Sequence, residues 1–309
     1  MPSIGIVGAT GAVGRVALPL LRERGHEEIR LFASGRSAGT ELDGIVVEEA
    51  TPQVLSAGGL DVVFFAIGTD KSRELVPHAV AGGAVVVDKS SAYRLQEGVP
   101  LVVPEVNGER ALEHDGIVAN PNCCSIPLSC VLKPLHDAAG VRRVRVATYQ
   151  SASGAGAESM ERLRATTTDD TDLAMDWEFD GEEFDEEAKL RDETRKILEL
   201  DDLPIHAQCV RVPVMVGHAE AVWVETDAAI SPDDARRILG DATSVRLVDF
   251  PTPKLAVGID DVLVGRIRRD TTEANGLSLF VVCDNLRKGA ALNAIQIAEL
   301  LLERQRVAA

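Results

Sequence analysis

Over its first 120 residues the chain alternates short, β-branched apolar runs with stretches of helical periodicity, and this alternation limits its fold more than any other feature. The runs 3–8 (SIGIVG), 29–34 (IRLFAS), 62–67 (VVFFAI), 84–88 (AVVVD) and 116–120 (GIVAN) read as buried strands. Between them, 12–25 (AVGRVALPLLRERG) and 70–83 (DKSRELVPHAVAGG) read as helices. Strands apolar on both faces and separated by helices pair in parallel, because each crossover must return along the sheet and covers one face as it does so. The expected architecture here is a Rossmann-like, doubly wound parallel sheet.

Beyond residue 124 the pattern changes. Residues 124–140 form an amphipathic helix, and 141–151, 209–226 and 276–285 alternate with period two, as strands of a largely antiparallel sheet do. The acidic stretch 166–200 reads first as loop and then as helix from about Glu186, and a last helix covers 287–305. A length of 309 residues suits two domains. Residues 1–123 are expected to form the first, completed by the C-terminal helix 287–309, and 124–286 an α+β second domain.

A net charge of −17 disfavours nucleic acid and anionic membranes as partners. The N-terminus enters a strand without a charged leader and no apolar run is long enough to span a bilayer, so a cytoplasmic location is expected. The five cysteines show neither CxxC pairs nor zinc spacing, and no metal site is expected.

Gly8-Ala-Thr10-Gly11-Ala12-Val13-Gly14 follows the first strand and opens the first helix. Small residues there let backbone amides approach a pyrophosphate at the positive helix end. An acid for the ribose 2′-hydroxyl is missing after the second strand, where Ser34, Arg36 and Ser37 stand instead. A guanidinium between two hydroxyls suits a 2′-phosphate, so NADP is expected over NAD. Asn122-Cys123-Cys124-Ser125 lies between a strand and a helix, where helix amides favour a thiolate and can stabilise an oxyanion. A hydride carrier beside a nucleophilic thiolate points to reduction of an acyl group through a thioester.

Taken in order, GATGAVG (8–14), ASGRSAG (33–39), VVVDKSSAYR (85–94), LVVPEVN (101–107), ANPNC (119–123), YQSASGAG (149–156), RVPVMVGHAEAVWVE (211–225) and DNLRKGAALNAIQIAE (284–299) resemble the aspartate-β-semialdehyde dehydrogenase family. The resemblance implies NADPH-dependent conversion of L-aspartyl-4-phosphate, an amino-acid acyl phosphate, to aspartate semialdehyde, on the route to lysine, threonine and methionine. It implies Cys123 as nucleophile, His218 as acid/base and Gln150 orienting the acyl group. Arg211 would hold the substrate carboxylate, Glu187 its ammonium, and Arg94, Lys189 and Asn122 the phosphate. Ser153, Gly154 and Asn285 would join the cofactor site, and the second domain would form a homodimer or homotetramer. Cys124 stands where the family usually has serine or threonine. If 209–226 is one strand, Arg211 and His218 face opposite ways, so an irregularity is expected near Gly217.

The match departs from the family between Gln150 and Glu187, where a few dozen residues are absent and Trp177-Glu-Phe179-Asp stands in their place. N-acetyl-γ-glutamyl-phosphate reductase, the alternative enzyme, usually carries glycine before its cysteine and an aromatic after it, unlike Asn122 and Cys124. A glyceraldehyde-3-phosphate dehydrogenase-like enzyme has a different cysteine motif. A non-catalytic NADP-binding sensor or scaffold would have lost the cysteine or the histidine.

Overall fold

The structure, a computed structural model, describes residues 2–166 and 176–308. The chain forms two compact units, one running to Pro121 and resuming at Ala290, the other Asn122–Gly289.

In the first unit the apolar runs become β1 (Ile4–Val7), β2 (Ile29–Ala33), β5 (Val62–Phe65), β6 (Val85–Asp88) and β7 (Ile117–Ala119), with β3 (Glu41–Leu42) and β4 (Ile45–Glu49) at one edge. The sheet order is β3-β4-β2-β1-β5-β6-β7, parallel throughout except for the β3–β4 hairpin. Helices Ala12–Glu23 and Thr69–Ala81 follow β1 and β5. The chain end returns as the helix Leu292–Ala308, whose Leu292, Ile295, Ala298 and Leu301 pack into the same core as Ile4, Ile6, Val87 and Val118. Arg24 holds that helix from outside by a two-toothed pairing with Glu299, at 2.6 and 2.7 Å.

The second unit holds β8 (Val141–Gln150), β9 (Ile205–Arg211), β10 (His218–Thr226), β11 (Val245–Leu247), β12 (Val262–Asp270) and β13 (Gly276–Cys283), in the order β11-β12-β13-β10-β8-β9. The sheet is mixed, with β8–β9 and β11–β12 parallel and the remaining pairs antiparallel. Helices Ser125–Ala139 and Asp185–Leu198 pack on each other and on this sheet.

One expectation fails here. Residues 209–226 are two strands rather than one, because β9 runs parallel to β8 while β10 runs antiparallel to it on the other side. The chain must therefore reverse across 212–217. Pro213 offers no ladder donor, and Gly217 takes φ +99°, which a side chain disfavours. The irregularity at Gly217 is the end of a reversal, not a bulge. The acidic loop expected from 166 lies outside the described residues over 167–175.

Candidate active site

Cys123 precedes the N-terminal turn of helix Ser125–Ala139, and His218 is the first residue of β10. His218 Nε2 lies 3.1 Å from Cys123 Sγ. The Ser151 backbone N–H donates to His218 Nδ1 at 3.0 Å, so Nδ1 carries no proton and the neutral ring presents Nε2–H to the sulfur. Gly289 makes room for Cys123, since a side chain there would come within 3.1 Å of Cys123 Cβ.

Beside the thiol, Asn122 Oδ1 accepts from the Cys124 N–H at 2.8 Å, supplying part of the cap that Cys124 itself does not. Gln150, the last residue of β8, gives its amide to Cys124 Sγ at 3.2 Å and to Glu186 Oε1 at 2.8 Å. Glu186 Oε1 also accepts from Asn122 Nδ2 at 2.9 Å. Lys189 Nζ stands 3.8 Å from Glu186 Oε2 and 2.6 Å from Asp185 Oδ2.

The carboxylate that joins the cluster is thus Glu186, where Glu187 was expected. Glu187 is turned away, accepting from the Phe184 N–H at 2.9 Å and the Cys209 N–H at 2.8 Å. Helical spacing could have shown this, because residues i and i+3 share a face whereas i and i+2 do not. Glu193, also unanticipated, is buried and accepts from the Asn122 N–H at 2.6 Å.

Arg211 closes the far side, its Nη1 donating to Ser151 O at 3.1 Å. Gly154 marks the gap between the two ends of the site: a side-chain carbon there would lie 2.9 Å from Arg211 Nη1 and 3.0 Å from His218 Nε2. Ser153 and Asn285 surround the histidine. Asn285 Nδ2 donates to Ser153 Oγ at 2.9 Å, while its Oδ1 accepts from the Gly217 N–H at 2.8 Å and from Ser151 Oγ at 3.1 Å. Glu220, one pleat along β10 from His218, is buried, with the Cys124 thiol the polar group beside its carboxyl. Burial first, and then the negative Cys123, push its carboxyl well above the usual range.

The remaining expected residues lie in the first unit. Gly8, at φ +90°, turns β1 into helix Ala12–Glu23, and a side chain at Gly14 would come within 2.4 Å of Gly8 O. The helix has no side-chain cap and no acid in its first turn, which leaves the amides about Ala12 and Val13 suited to an anion. Thr10 Oγ1 donates to Ser37 Oγ at 3.4 Å, so the two loops adjoin, and Ser34 and Arg36 are exposed. The fold also brings a carboxylate here, since Glu49 Oε1 would touch a side chain at Gly35 at 2.7 Å. Arg94 is buried, with Nε donating to Asn120 O at 3.1 Å and Nη2 to Lys89 O at 2.5 Å.

Residues 3–114 match the family described as semialdehyde dehydrogenase, NAD binding domain. Residues 132–177 and 175–288 match semialdehyde dehydrogenase, dimerisation domain, in two pieces that meet at 175–177. Aspartate-semialdehyde dehydrogenase of Streptomyces akiyoshiensis is 46% identical over 96% of this chain and 98% of its own, and that of Bacillus subtilis 40% over 96% of each. The crystal structure of aspartate semialdehyde dehydrogenase II from Vibrio cholerae complexed with ASA superposes with a TM-score of 0.92, at 39% identity over 98% of both chains. The Candida albicans enzyme with NADP gives 0.77 at 28% identity, over 97% of this chain and 98% of that one.

Proposed function

The chain belongs to the aspartate-semialdehyde dehydrogenase family, and on that footing we propose that it reduces L-aspartyl-4-phosphate with NADPH to L-aspartate-4-semialdehyde and phosphate through a thioester on Cys123. The observation that carries the residue assignment is the Ser151–His218–Cys123 chain, which aims a ring N–H at the sulfur.

The steps follow from what each group can do. The Cys123 thiolate, favoured by the helix terminus and by Nε2–H, attacks the acyl carbon, and the C–O bond to phosphate breaks. NADPH, when bound, supplies the hydride. The resulting thiohemiacetal oxyanion collapses to the aldehyde and returns the electron pair to sulfur. Nε2–H stabilises first the oxyanion and then the returning thiolate. Since Nδ1 is already filled, His218 serves here as a donor rather than as store for the thiol proton.

Arg211 suits the substrate α-carboxylate as a planar fork. Glu186 suits the ammonium, being the carboxylate that meets Gln150 and Asn122 beside the thiol. Lys189 and Asn122 are proposed to receive the phosphate, a role that the family resemblance also gives to Arg94. Two features support NADPH: uncapped amides at the helix Ala12–Glu23 and exposed Arg36 beside Ser34 and Ser37. Ser153, Gly154 and Asn285 are proposed to line the nicotinamide end. We infer a homodimer or homotetramer, in line with the dimerisation-domain match, and a cytoplasmic setting; no helix among the described residues is long and apolar enough to cross a membrane.

The test supplies aspartate semialdehyde, phosphate and NADP⁺ and follows the absorbance of reduced nicotinamide. Absorbance should rise with the wild type and stay flat with Cys123→Ser; a flat trace from both rejects the reading. Activity with only the N-acetylglutamate analogue would favour the alternative reductase.

A further inference from the structure

Arg211, only 7% exposed, already has an anion of this chain's own. Its Nη2 and Nε donate to Asp176 Oδ1 at 3.0 and 3.3 Å, and Trp177 lays its ring 4.6 Å from the guanidinium carbon. Trp177 packs in turn against Phe184, centroids 6.4 Å apart, and Phe184 precedes the helix that carries Glu186 and Lys189. Asp176 itself is partly exposed. Both residues stand in the stretch, 175–177, where the two pieces of the dimerisation-domain match overlap.

We propose that Asp176 occupies the place of the substrate carboxylate at Arg211 and is displaced by it, with Trp177 holding the guanidinium plane during the exchange. The proposal rests on the reading of Arg211 as carboxylate anchor. A buried guanidinium without a counter-ion is costly, and Asp176 removes that cost in the empty enzyme. An incoming carboxylate restores the same pairing, whereas a ligand lacking one leaves the cation uncompensated and cannot complete the exchange. The internal competitor lowers apparent affinity by the fraction of molecules in which it is seated. Trp177 stays attractive to the cation whichever carboxylate is present.

The decisive experiment compares Asp176→Asn, Arg211→Lys and the wild type with aspartate semialdehyde as varied substrate. Asp176→Asn should lower KM about two- to fivefold, as expected for a partly exposed ion pair, with the change carried by KM rather than kcat. Arg211→Lys should raise KM. If Arg211→Lys raises KM but Asp176→Asn leaves it unchanged or higher, the exchange is wrong and the anchor stands. If Arg211→Lys leaves KM unchanged, both fall. Tryptophan emission gives an independent readout: aspartate semialdehyde alone should change it in the wild type and not in Trp177→Phe. Emission that is the same with and without the semialdehyde overturns the proposal.

Discussion

The amide of Ser151 donates to Nδ1 of His218 at 3.0 Å, and that contact decides which ring nitrogen faces Cys123. A backbone N–H cannot be turned off, so the ring is held as an Nε2–H donor. A side-chain amide can imitate that role, whereas it cannot take up a thiol proton. His218→Gln should therefore keep about ten times or more the kcat of His218→Ala, which should fall about 10²- to 10³-fold as loss of an oxyanion donor does. Equal losses in both variants would restore the acid–base role.

Glu186 and Glu187 separate by what they touch. Glu186→Gln should lower kcat/KM about tenfold or more, with little change in melting temperature, since it loses a charge facing the site. Glu187→Gln should leave kcat/KM nearer the wild type and cost about 1–3 kcal/mol of stability, because its oxygens satisfy two backbone N–H groups. Paired kinetics and thermal melts check both.

Gly154→Ala should cut kcat/KM about a hundredfold while circular dichroism stays unchanged. The added carbon would press on Arg211 and His218 together, at an exposed position.

Glu220 gives a pH dependence with a definite sign. A raised native carboxyl keeps its proton after the unfolded chain has lost it, so this group's contribution to stability falls as pH rises above the ordinary glutamate range. Glu220→Gln should be more stable than the wild type at neutral and higher pH, and the gap should close on acidification through that range. Denaturant midpoints at several pH values measure it. A gap that widens toward acid would mean that the carboxylate has a partner.

Arg36→Ala should raise KM for NADPH about tenfold or more and leave KM for NADH nearly unchanged. Glu49→Gln should act oppositely on NADPH, by removing a carboxylate near the 2′-phosphate position. No change in either variant would place the phosphate elsewhere.

Local patterns carried much of this into the sequence. The five apolar runs of the first unit became β1, β2, β5, β6 and β7, since burial on both faces leaves an uninterrupted apolar signature. The charged strand β4 had no such signature. Val212-Pro213-Val214 alternates like a strand although the chain is reversing there, so periodicity alone joined β9 to β10. Around the thiol, the residues singled out in the sequence, Cys123 and His218, lie 3.1 Å apart, whereas the carboxylate that meets Gln150 and Asn122 is Glu186, one residue before the expected Glu187. What no local pattern could supply is Asn285 holding Gly217 and Ser151, contacts that span 68 and 134 positions of chain.

Arg211 pairs with Gln150 across β9 and β8, and Ala219 pairs with Tyr149 across β8 and β10, so Arg211, Gln150 and His218 mark three successive rungs of one sheet. Rungs stand about 4.8 Å apart, and that interval is set by backbone hydrogen bonds rather than by side chains. On the proposed reading of Arg211 as the carboxylate anchor, that interval is a gauge for the substrate, because it sets how far from Arg211 the side chains of Gln150 and His218 start. A substrate homologue longer by one methylene would then meet His218 out of step with its anchor.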